Sequence, residues 1–406
     1  MRIVHTADWH IGALLYQHKR YEEWAAFLDW LAAWLADNGV DVLLIAGDIF
    51  DTTTPSNRAQ ELYYRFLCSL TKTPLRHVVI TAGNHDSPSF LEAPSALLRL
   101  LHIHVVAQAT ENCADEVIPL YAQDGSLELI VCAVPYLRDR DVRTALAGET
   151  YEEKEEKLRL GIAEHYAQVA EEALRVRGDS SVPIIAMGHL FAAGGKTVEG
   201  DGVRELYVGK LARVAADCFS PLFDYVALGH LHVPQTVGGC SHIRYSGSPL
   251  PIGFGEADQE KSLSLVTFTQ GEMELSSVPI PRWQKLAFVR GDLEEIGARI
   301  RDLSVSAPGA WLEILYTGSE CVADLQERVY AMLAQTTLTA LCICQARTEE
   351  KTLVSEQGER LEELTVEEVF RRCLDEHGIV EADRPALLAA YREVLREIAE
   401  RDVNES

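Results

Sequence analysis

Residues 78–86 of the chain read VVITAGNHD, and this stretch decides how the rest of the sequence is interpreted. Its first three residues predict a buried strand, which ends at Gly83 and is followed at once by Asn84, His85 and Asp86. An amide, an imidazole and a carboxylate with no apolar residue between them suit an active site better than a core. Because Gly-Asn is also an ordinary turn pair, the interpretation depends on whether the pattern recurs.

Four further predicted strands are each followed directly by Asp or His residues. These strands are Ile3–Thr6, Val42–Ile45, Pro183–Met187 and Tyr225–Leu228. Apolar residues at helical spacing predict helices between and after the strands. The predicted helices cover residues 21–36, 58–70, 91–101 and 152–177. Since strands that alternate with helices form parallel sheets, the chain is predicted to be an α/β protein.

The composition is that of a globular protein with an acidic surface. The chain has 406 residues and a formal net charge of −25. That charge argues against a protein that coats DNA through bulk electrostatics, although a metal site or a local basic strip can still hold phosphate. The nine cysteines include no C-x-x-C pair, and the sequence contains no signal peptide or membrane-spanning run. Together these features predict a reduced, cytoplasmic compartment.

The chain is predicted to divide after its main domain, residues 1–280, where Pro279-Ile280-Pro281 interrupts it. Residues 281–347 would form a small second domain with a β-α-β-α-β pattern. Residues 348–406 would be a linker and two amphipathic helices, the first of which begins with a capping box at Thr365–Glu368. Such helices at a chain end either dock on their own domain or bind a partner.

The polar residues at the five strand ends are metal ligands by type. Carboxylate, amide and imidazole groups without thiolate suit Mn²⁺, Fe²⁺ or Zn²⁺ rather than a structural zinc cage. Because functional residues of an open parallel sheet gather at the carboxyl ends of its strands, we expect these side chains to converge. A single histidine after glycine is more often an ordinary residue, but five strand ends with one pattern indicate a shared site. The predicted ligands are Asp8, His10, Asp48, Asn84, His189, His230 and His232.

Seven ligands exceed the needs of one ion and suit two ions that share a bridging carboxylate. Asp48 is the candidate bridge, because it stands alone at the end of the most buried strand. Two such ions can hold a phosphate and stabilise the charge of an in-line displacement. Asn84 and His85 would point in opposite directions on extended backbone. His85 is therefore assigned as a proton donor to the leaving oxygen, oriented by Asp51 or Asp86.

The motifs D-x-H, G-D-x-x-D, G-N-H-D, G-H and G-H-x-H, in this order, resemble those of the calcineurin-like metallophosphoesterases. They lie at Asp8–His10, Gly47–Asp51, Gly83–Asp86, Gly188–His189 and Gly229–His232. Residues 245–249 (YSGSP), the chain length and the tail are similar to those of one branch of this family, the bacterial DNA nuclease subunits that act with an SMC-type ATPase. The resemblance runs over the whole chain.

The resemblance implies a four-layer αββα sandwich that holds two manganese ions, with Mg²⁺ or other divalent ions as alternatives. One ion would be bound by Asp8, His10, Asp48 and His232, and the other by Asp48, Asn84, His189 and His230. His85 would be the catalytic histidine. Asp51 stands where some relatives carry a second histidine, and it is included as a candidate catalytic residue.

The resemblance also implies partners for the remaining parts of the chain. Residues 281–347 would be a capping domain that helps to hold DNA, and residues 351–406 would bind the coiled coil of the ATPase. Helices near 58–70 and 91–101 would form a homodimer. The implied activity is ATP-dependent 3′–5′ cleavage of double-stranded DNA ends, with endonuclease cleavage of hairpins and single strands. The cytoplasmic, nucleoid-associated complex would serve DNA repair, replication and recombination.

Two other functions fit parts of the sequence. The first is a phosphatase or a cyclic nucleotide phosphodiesterase on the same scaffold, which the metal ligands cannot distinguish from a nuclease. The second is a metal-binding scaffold protein that regulates an ATPase without turnover. The cap and the two-helix tail favour the nuclease, and the presence of His85 argues against a scaffold, which needs no catalytic histidine.

Overall fold

The computed structural model of the chain describes residues 1–143, 149–192, 214–320 and 322–346, together with five single positions. These are Leu374, Arg384, Leu387, Leu388 and Tyr391. Met1–Cys344 form one compact unit and Gln345–Ser406 a second. The predicted tail helices over 351–406 fall outside the described residues except at those five positions. The predicted boundary between residues 280 and 281 falls within the first compact unit and stays a prediction.

The described residues contain two large sheets, a three-stranded sheet, a two-stranded sheet formed by β2 and β3, and the helices that cover them. The strands are β1 (Arg2–Thr6), β2 (Leu14–Leu15), β3 (His18–Lys19), β4 (Val42–Ala46), β5 (His77–Thr81), β6 (Ile103–Val106), β7 (Val117–Tyr121), β8 (Leu127–Ala133), β9 (Ile184–His189), β10 (Tyr225–Gly229), β11 (Gln235–Val237), β12 (Cys240–Tyr245), β13 (Ser262–Thr269), β14 (Glu272–Pro279), β15 (Leu286–Gly291), β16 (Trp311–Tyr316) and β17 (Thr339–Gln345). The helices are α1 (Tyr21–Asp37), α2 (Asn57–Leu70), α3 (Pro88–Glu92), α4 (Ser95–Arg99), α5 (Asp139–Val142), α6 (Tyr151–Arg177), α7 (Leu293–Ser306) and α8 (Leu325–Leu333). None of the described helices is long and apolar enough to cross a bilayer.

Both large sheets have six strands and a parallel centre. The first has the order β14-β13-β1-β4-β5-β6, in which β1, β4, β5 and β6 are parallel and β13 pairs antiparallel with β1. The second has the order β11-β12-β10-β9-β8-β7, with antiparallel strands at its edges. The parallel strands point their carboxyl ends the same way within each sheet, which places the polar residues that follow them along one rim.

Neighbouring side chains along a buried strand lie in different apolar layers. Leu43 of β4 is buried in one cluster with Phe27 of α1, whereas its neighbour Leu44 lies in the cluster between the sheets with Met187 of β9. On the far side of the second sheet, Tyr166 of α6 is buried in a third apolar cluster with residues of β8 and β10. Successive side chains of a strand point to opposite faces, so each strand contributes to two clusters. The predicted αββα arrangement is confirmed.

The single helix predicted over residues 91–101 is wrong. The chain forms two short helices there, α3 and α4, because Pro94 lies between them and has no N–H to donate to a continuous helix. Three leucines of this segment are exposed. Leu97, Leu100 and Leu101 have 65%, 79% and 40% of their surface accessible.

Residues after 285 form the predicted small α/β unit. Strands β15, β16 and β17 form its sheet, and α7 and α8 bury a separate apolar cluster that includes Ile296 and Ile314. A second, smaller cluster joins this unit to the main body, where Leu15 and Phe254 pack with Leu286. Through Leu15, this contact reaches β2, which follows the predicted ligands Asp8 and His10 in the sequence.

Candidate metal centre

The backbone at the strand ends is held in an unusual conformation. Four predicted ligands have positive φ angles, a region that residues with side chains rarely occupy. They are Asp8 (54°), His10 (48°), Asp48 (49°) and His230 (103°). Hydrogen bonds between the strand ends fix this backbone, since Asp8 N donates to Gly47 O at 3.1 Å and His10 N donates to Asp48 O at 2.9 Å. Strained residues that the surrounding structure holds in place are typical of functional sites.

Asp8, His10 and His232 form a first cluster of buried ligands. Their ligand atoms lie within 4.8 Å of one another, and the Nε2 atoms of the two histidines are 3.2 Å apart. Asp8 Oδ1 accepts the N–H of His230 at 2.8 Å, whereas its buried Oδ2 has no hydrogen-bond partner among the described residues. Two imidazole nitrogens and an unsatisfied carboxylate oxygen that face one point fit a divalent cation.

Asp48, His189 and His230 form the second cluster, whose ligand atoms again lie within 4.8 Å of one another. The Oδ1 atom of Asn84, the fourth ligand predicted for this ion, lies 3.0 Å from His189 Nε2 and 3.1 Å from His230 Nδ1. His189 Nδ1 donates to the carbonyl oxygen of Ala46 at 3.0 Å, which turns Nε2 towards the cluster. This set of two nitrogens and two oxygens suits the same class of metal as the first.

Asp48 lies between the two clusters. Its Oδ2 is 3.6 Å from His10 Nε2 and 3.2 Å from His189 Nε2, so one carboxylate oxygen faces ligands of both. Its other oxygen, Oδ1, accepts the backbone N–H of His85 at 2.8 Å. The structure thus brings all seven predicted ligands to one rim, with Asp48 at the centre.

Electrostatics at the centre favour positive charge. Although burial lowers it, the Asp48 carboxylate raises the pKa of His189 to about 9. In the same way, burial lowers and Glu256 raises the pKa of His232, which reaches about 9. By contrast, burial and the neighbouring His189 lower the pKa of His230 to about 3, which keeps it in the neutral form that binds metal. The Asp48 and Glu256 carboxylates thus supply negative charge beside two of these three buried histidines.

His85 lies beside the first cluster and has a different environment. Its ring centroid is 4.8 Å from that of His10, and its Nδ1 donates to the backbone carbonyl of Asp51 at 2.8 Å. The Asp51 carboxylate instead faces His10, with Oδ1 3.6 Å from His10 Nδ1. Asp86 is buried and accepts backbone N–H groups from Ile49, Phe50 and Gly83 at 2.9–3.1 Å. Of the two predicted partners of His85, the contact is therefore with Asp51, through its main chain.

Two glycines of the motifs allow the close approach of these strand ends. A Cβ atom on Gly83 would overlap the carboxylate and the backbone nitrogen of Asp48. A Cβ atom on Gly229 would overlap the carbonyl oxygen of Ala46. Both positions therefore require the residue without a side chain, whatever their φ angle.

Sequence reasoning missed a buried group behind His232. Glu256 is fully buried, and its Oε1 lies 3.3 Å from His232 Nδ1. Lys261, also buried, donates to Glu256 Oε2, to Ser248 Oγ at 3.0 Å and to the carbonyl oxygen of His232 at 3.1 Å. Ser248 belongs to the YSGSP segment, but Glu256 ends a three-residue 3-10 turn, Phe254–Glu256, and Lys261 lies just before β13, so no periodic pattern marks either residue.

Two family models match the chain. The calcineurin-like phosphoesterase model matches residues 1–234, and the model described as type 5 capsule protein repressor C-terminal domain matches residues 282–378. The SbcD subunit of the nuclease SbcCD from Escherichia coli K12 is 38% identical over 404 residues, which cover 98% of this chain and 99% of that protein. Proteins of the same name from Rhodobacter capsulatus and Bacillus subtilis are 37% and 35% identical, over 70% of this chain and 70% and 72% of their own lengths.

Proposed function

The chain belongs to the calcineurin-like phosphoesterase family and, within it, to the SbcD subunits of SbcCD nucleases, and from this membership we propose how its metal centre cuts DNA. It is a metal-dependent phosphodiester hydrolase. The observation that carries the proposal is the position of Asp48, whose Oδ2 faces histidines of both ligand clusters at 3.2 and 3.6 Å.

The proposed centre holds two Mn²⁺ ions. One would be bound by Asp8, His10, Asp48 and His232, and the other by Asp48, Asn84, His189 and His230. Imidazole ligands support Mn²⁺ over Mg²⁺, which prefers oxygen ligands and retains several waters. When bound, two divalent ions would supply the positive charge that stabilises an in-line displacement at phosphorus.

The proposed role of His85 is to act on the phosphate without binding metal. Its Nδ1 is engaged by the Asp51 carbonyl, which accepts only, so Nδ1 carries the hydrogen and Nε2 is the atom that exchanges a proton. Burial lowers the pKa of His85 below its usual value, so the free site holds a neutral imidazole. The negative charge of a bound phosphate would favour protonation of Nε2 by solvent, and His85 would then donate that proton to the leaving oxygen. Asp51 is proposed to support this group through its carbonyl and to contact His10 through its carboxylate.

The proposed partner is the ATPase SbcC, the other component that the name of the relatives implies. Residues 351–406 would bind its coiled coil, and residues 281–347 would help to hold DNA.

A homodimer would form through α2 and the segment of α3 and α4. Support for this face comes from the exposed Leu97, Leu100 and Leu101 and from a neighbouring cavity of about 240 Å³ between the end of α2 and residues 100–103. The complex would act on chromosomal DNA in the cytoplasm.

The proposed activity is ATP-dependent 3′–5′ exonuclease action on double strands and endonuclease action on hairpins and single strands. The test incubates hairpin DNA with the full chain, SbcC, ATP and Mn²⁺. We expect cleavage that disappears in a matched reaction with Asp48→Asn, because this substitution removes the charge shared by both clusters. A cyclic nucleotide is offered in parallel. Intact DNA together with hydrolysis of the cyclic nucleotide would contradict the nuclease proposal.

A further inference from the structure

We propose that the buried pair Glu256–Lys261 is a positioning device for His232 and sets the affinity of one ion site without affecting the other. This inference rests on the proposed two-ion function, because His232 belongs to the first cluster only. Glu256 and Lys261 would contact neither substrate nor metal. They would act through the orientation of one ligand.

The contacts of Glu256 point to an orienting role. Its Oε1 is 3.3 Å from His232 Nδ1, which leaves His232 Nε2 directed at His10 Nε2 and Asp8. Ser248 Oγ and the backbone N–H of Ile252 both donate to Oε2, at 3.2 and 3.3 Å. A carboxylate that receives the second ring N–H of a metal-binding histidine fixes its tautomer and the angle of its ring.

Lys261 lowers the free-energy cost of burying the Glu256 carboxylate. A lone carboxylate with no exposed surface would be strongly destabilising, and the ammonium group beside it offsets its charge. Lys261 Nζ also donates to the main-chain oxygen of His232 at 3.1 Å, so the pair contacts this residue at both its ring and its backbone. His232 is thus held by two side chains that are distant from it in sequence.

The second cluster has no need of this pair. His189, its counterpart, donates through Nδ1 to the main-chain oxygen of Ala46 at 3.0 Å. A backbone carbonyl at the end of a central strand orients His189 as Glu256 orients His232. The two ion sites should therefore respond differently when Glu256 is changed.

Two double variants isolate the orienting contact at constant charge. Glu256→Gln with Lys261→Met removes the buried ion pair but keeps an oxygen that accepts the His232 N–H. Glu256→Leu with Lys261→Met removes the ion pair and the acceptor together. Because neither variant leaves an unpaired buried charge, both avoid the main cause of misfolding after such substitutions.

The measurement is a calorimetric titration of each full-length variant with Mn²⁺, with circular dichroism as the check on folding. We expect the Glu256→Leu double variant to bind one of its two ions about 10–100-fold more weakly, the usual effect of losing such a partner. The Glu256→Gln double variant should bind both ions nearly as the unmodified chain does. Glu116→Leu is the matched control, because Glu116 is equally buried, accepts from His165 Nε2 at 2.8 Å outside the site, and loses this contact when leucine replaces it.

The outcomes separate this inference from the proposed function. Equal affinities in the two double variants, or equal weakening of both ions, would overturn the positioning role. Weaker binding of one ion in Glu116→Leu would also overturn it, because the effect would then follow from the loss of any buried contact. An unmodified chain that binds fewer than two Mn²⁺ would instead contradict the two-ion function itself.

Discussion

The substitution His85→Gln separates a catalytic role of this histidine from a role in metal binding. In the structure the backbone N–H of residue 85 donates to Asp48 Oδ1 at 2.8 Å, and the imidazole Nδ1 donates to the Asp51 carbonyl at 2.8 Å. Glutamine keeps the first bond, because the main chain makes it, and its amide nitrogen can replace the second. The change therefore removes the group that transfers a proton and leaves Asp48 in its place.

The expected loss of kcat in His85→Gln follows from the proposed role of His85 as a general acid. A positioned acid or base contributes about 10²–10⁴-fold to a rate, which corresponds to roughly 2.7–5.4 kcal/mol of activation free energy. We expect kcat for hairpin cleavage to fall within that range. The number of Mn²⁺ ions bound per chain should stay at two, because all seven ligands and the backbone bond to Asp48 are unchanged.

The assay measures both quantities on the same preparations. Cleavage of hairpin DNA is followed with SbcC, ATP and Mn²⁺, and bound manganese is measured by atomic emission after gel filtration. His242→Gln is the matched control, because His242 is a partly buried histidine on β12, outside the site. A loss of about one ion per chain in His85→Gln would make His85 a ligand, and a cleavage rate equal to that of the control would remove it from the mechanism.

Three further predictions concern the partner, the dimer and acid stability. Deletion of residues 351–406 should abolish co-purification with SbcC and leave Mn²⁺-dependent cleavage of single-stranded DNA; retained complex formation would refute the tail assignment. Leu97→Glu with Leu100→Glu should shift sedimentation from dimer to monomer, and an unchanged sedimentation coefficient would exclude this face. Burial lowers the pKa of His5 from 6.5 to about 3, so the unfolded chain binds the extra proton and the free energy of unfolding falls as pH drops between these values. The slope from this group is at most about 1.4 kcal/mol per pH unit, and denaturant titrations at pH 7 and pH 5 should show a smaller loss in His5→Asn.

The ligand set could be predicted from the sequence for a simple geometric reason. An apolar run such as Val42–Ala46 is buried on both faces, so the first polar residue after it can only lie at the end of the strand. Parallel pairing then brings the ends of different strands to one rim, whatever the length of the chain between them. Asp8 and His230 meet in this way across 222 positions of sequence, with a hydrogen bond of 2.8 Å.

The contacts that sequence reasoning missed have no periodic signal. The partner of His85 is a backbone carbonyl, and since every residue carries one, no residue type could mark Asp51 for that contact. Glu256 ends a single 3-10 turn and Lys261 precedes β13, and a segment this short has no helical or strand period from which burial could be predicted. The prediction of one helix over 91–101 is wrong because the spacing of its leucines suits a helix, although Pro94 breaks the backbone pattern.

The two proposed ion sites differ in the group that orients a histidine ligand: a main-chain oxygen at one site and a side-chain carboxylate at the other. His189 is oriented by a main-chain oxygen that no substitution of Ala46 removes, so its geometry comes with the sheet. His232 is oriented by the side chain of Glu256, so its geometry depends on which residue stands at position 256. We therefore expect a chain that keeps the αββα sandwich and all seven predicted ligands, but lacks an acceptor behind His232, to bind the proposed first ion more weakly. The proposed first site would depend on residues outside the ligand motifs, whereas the proposed second site would not.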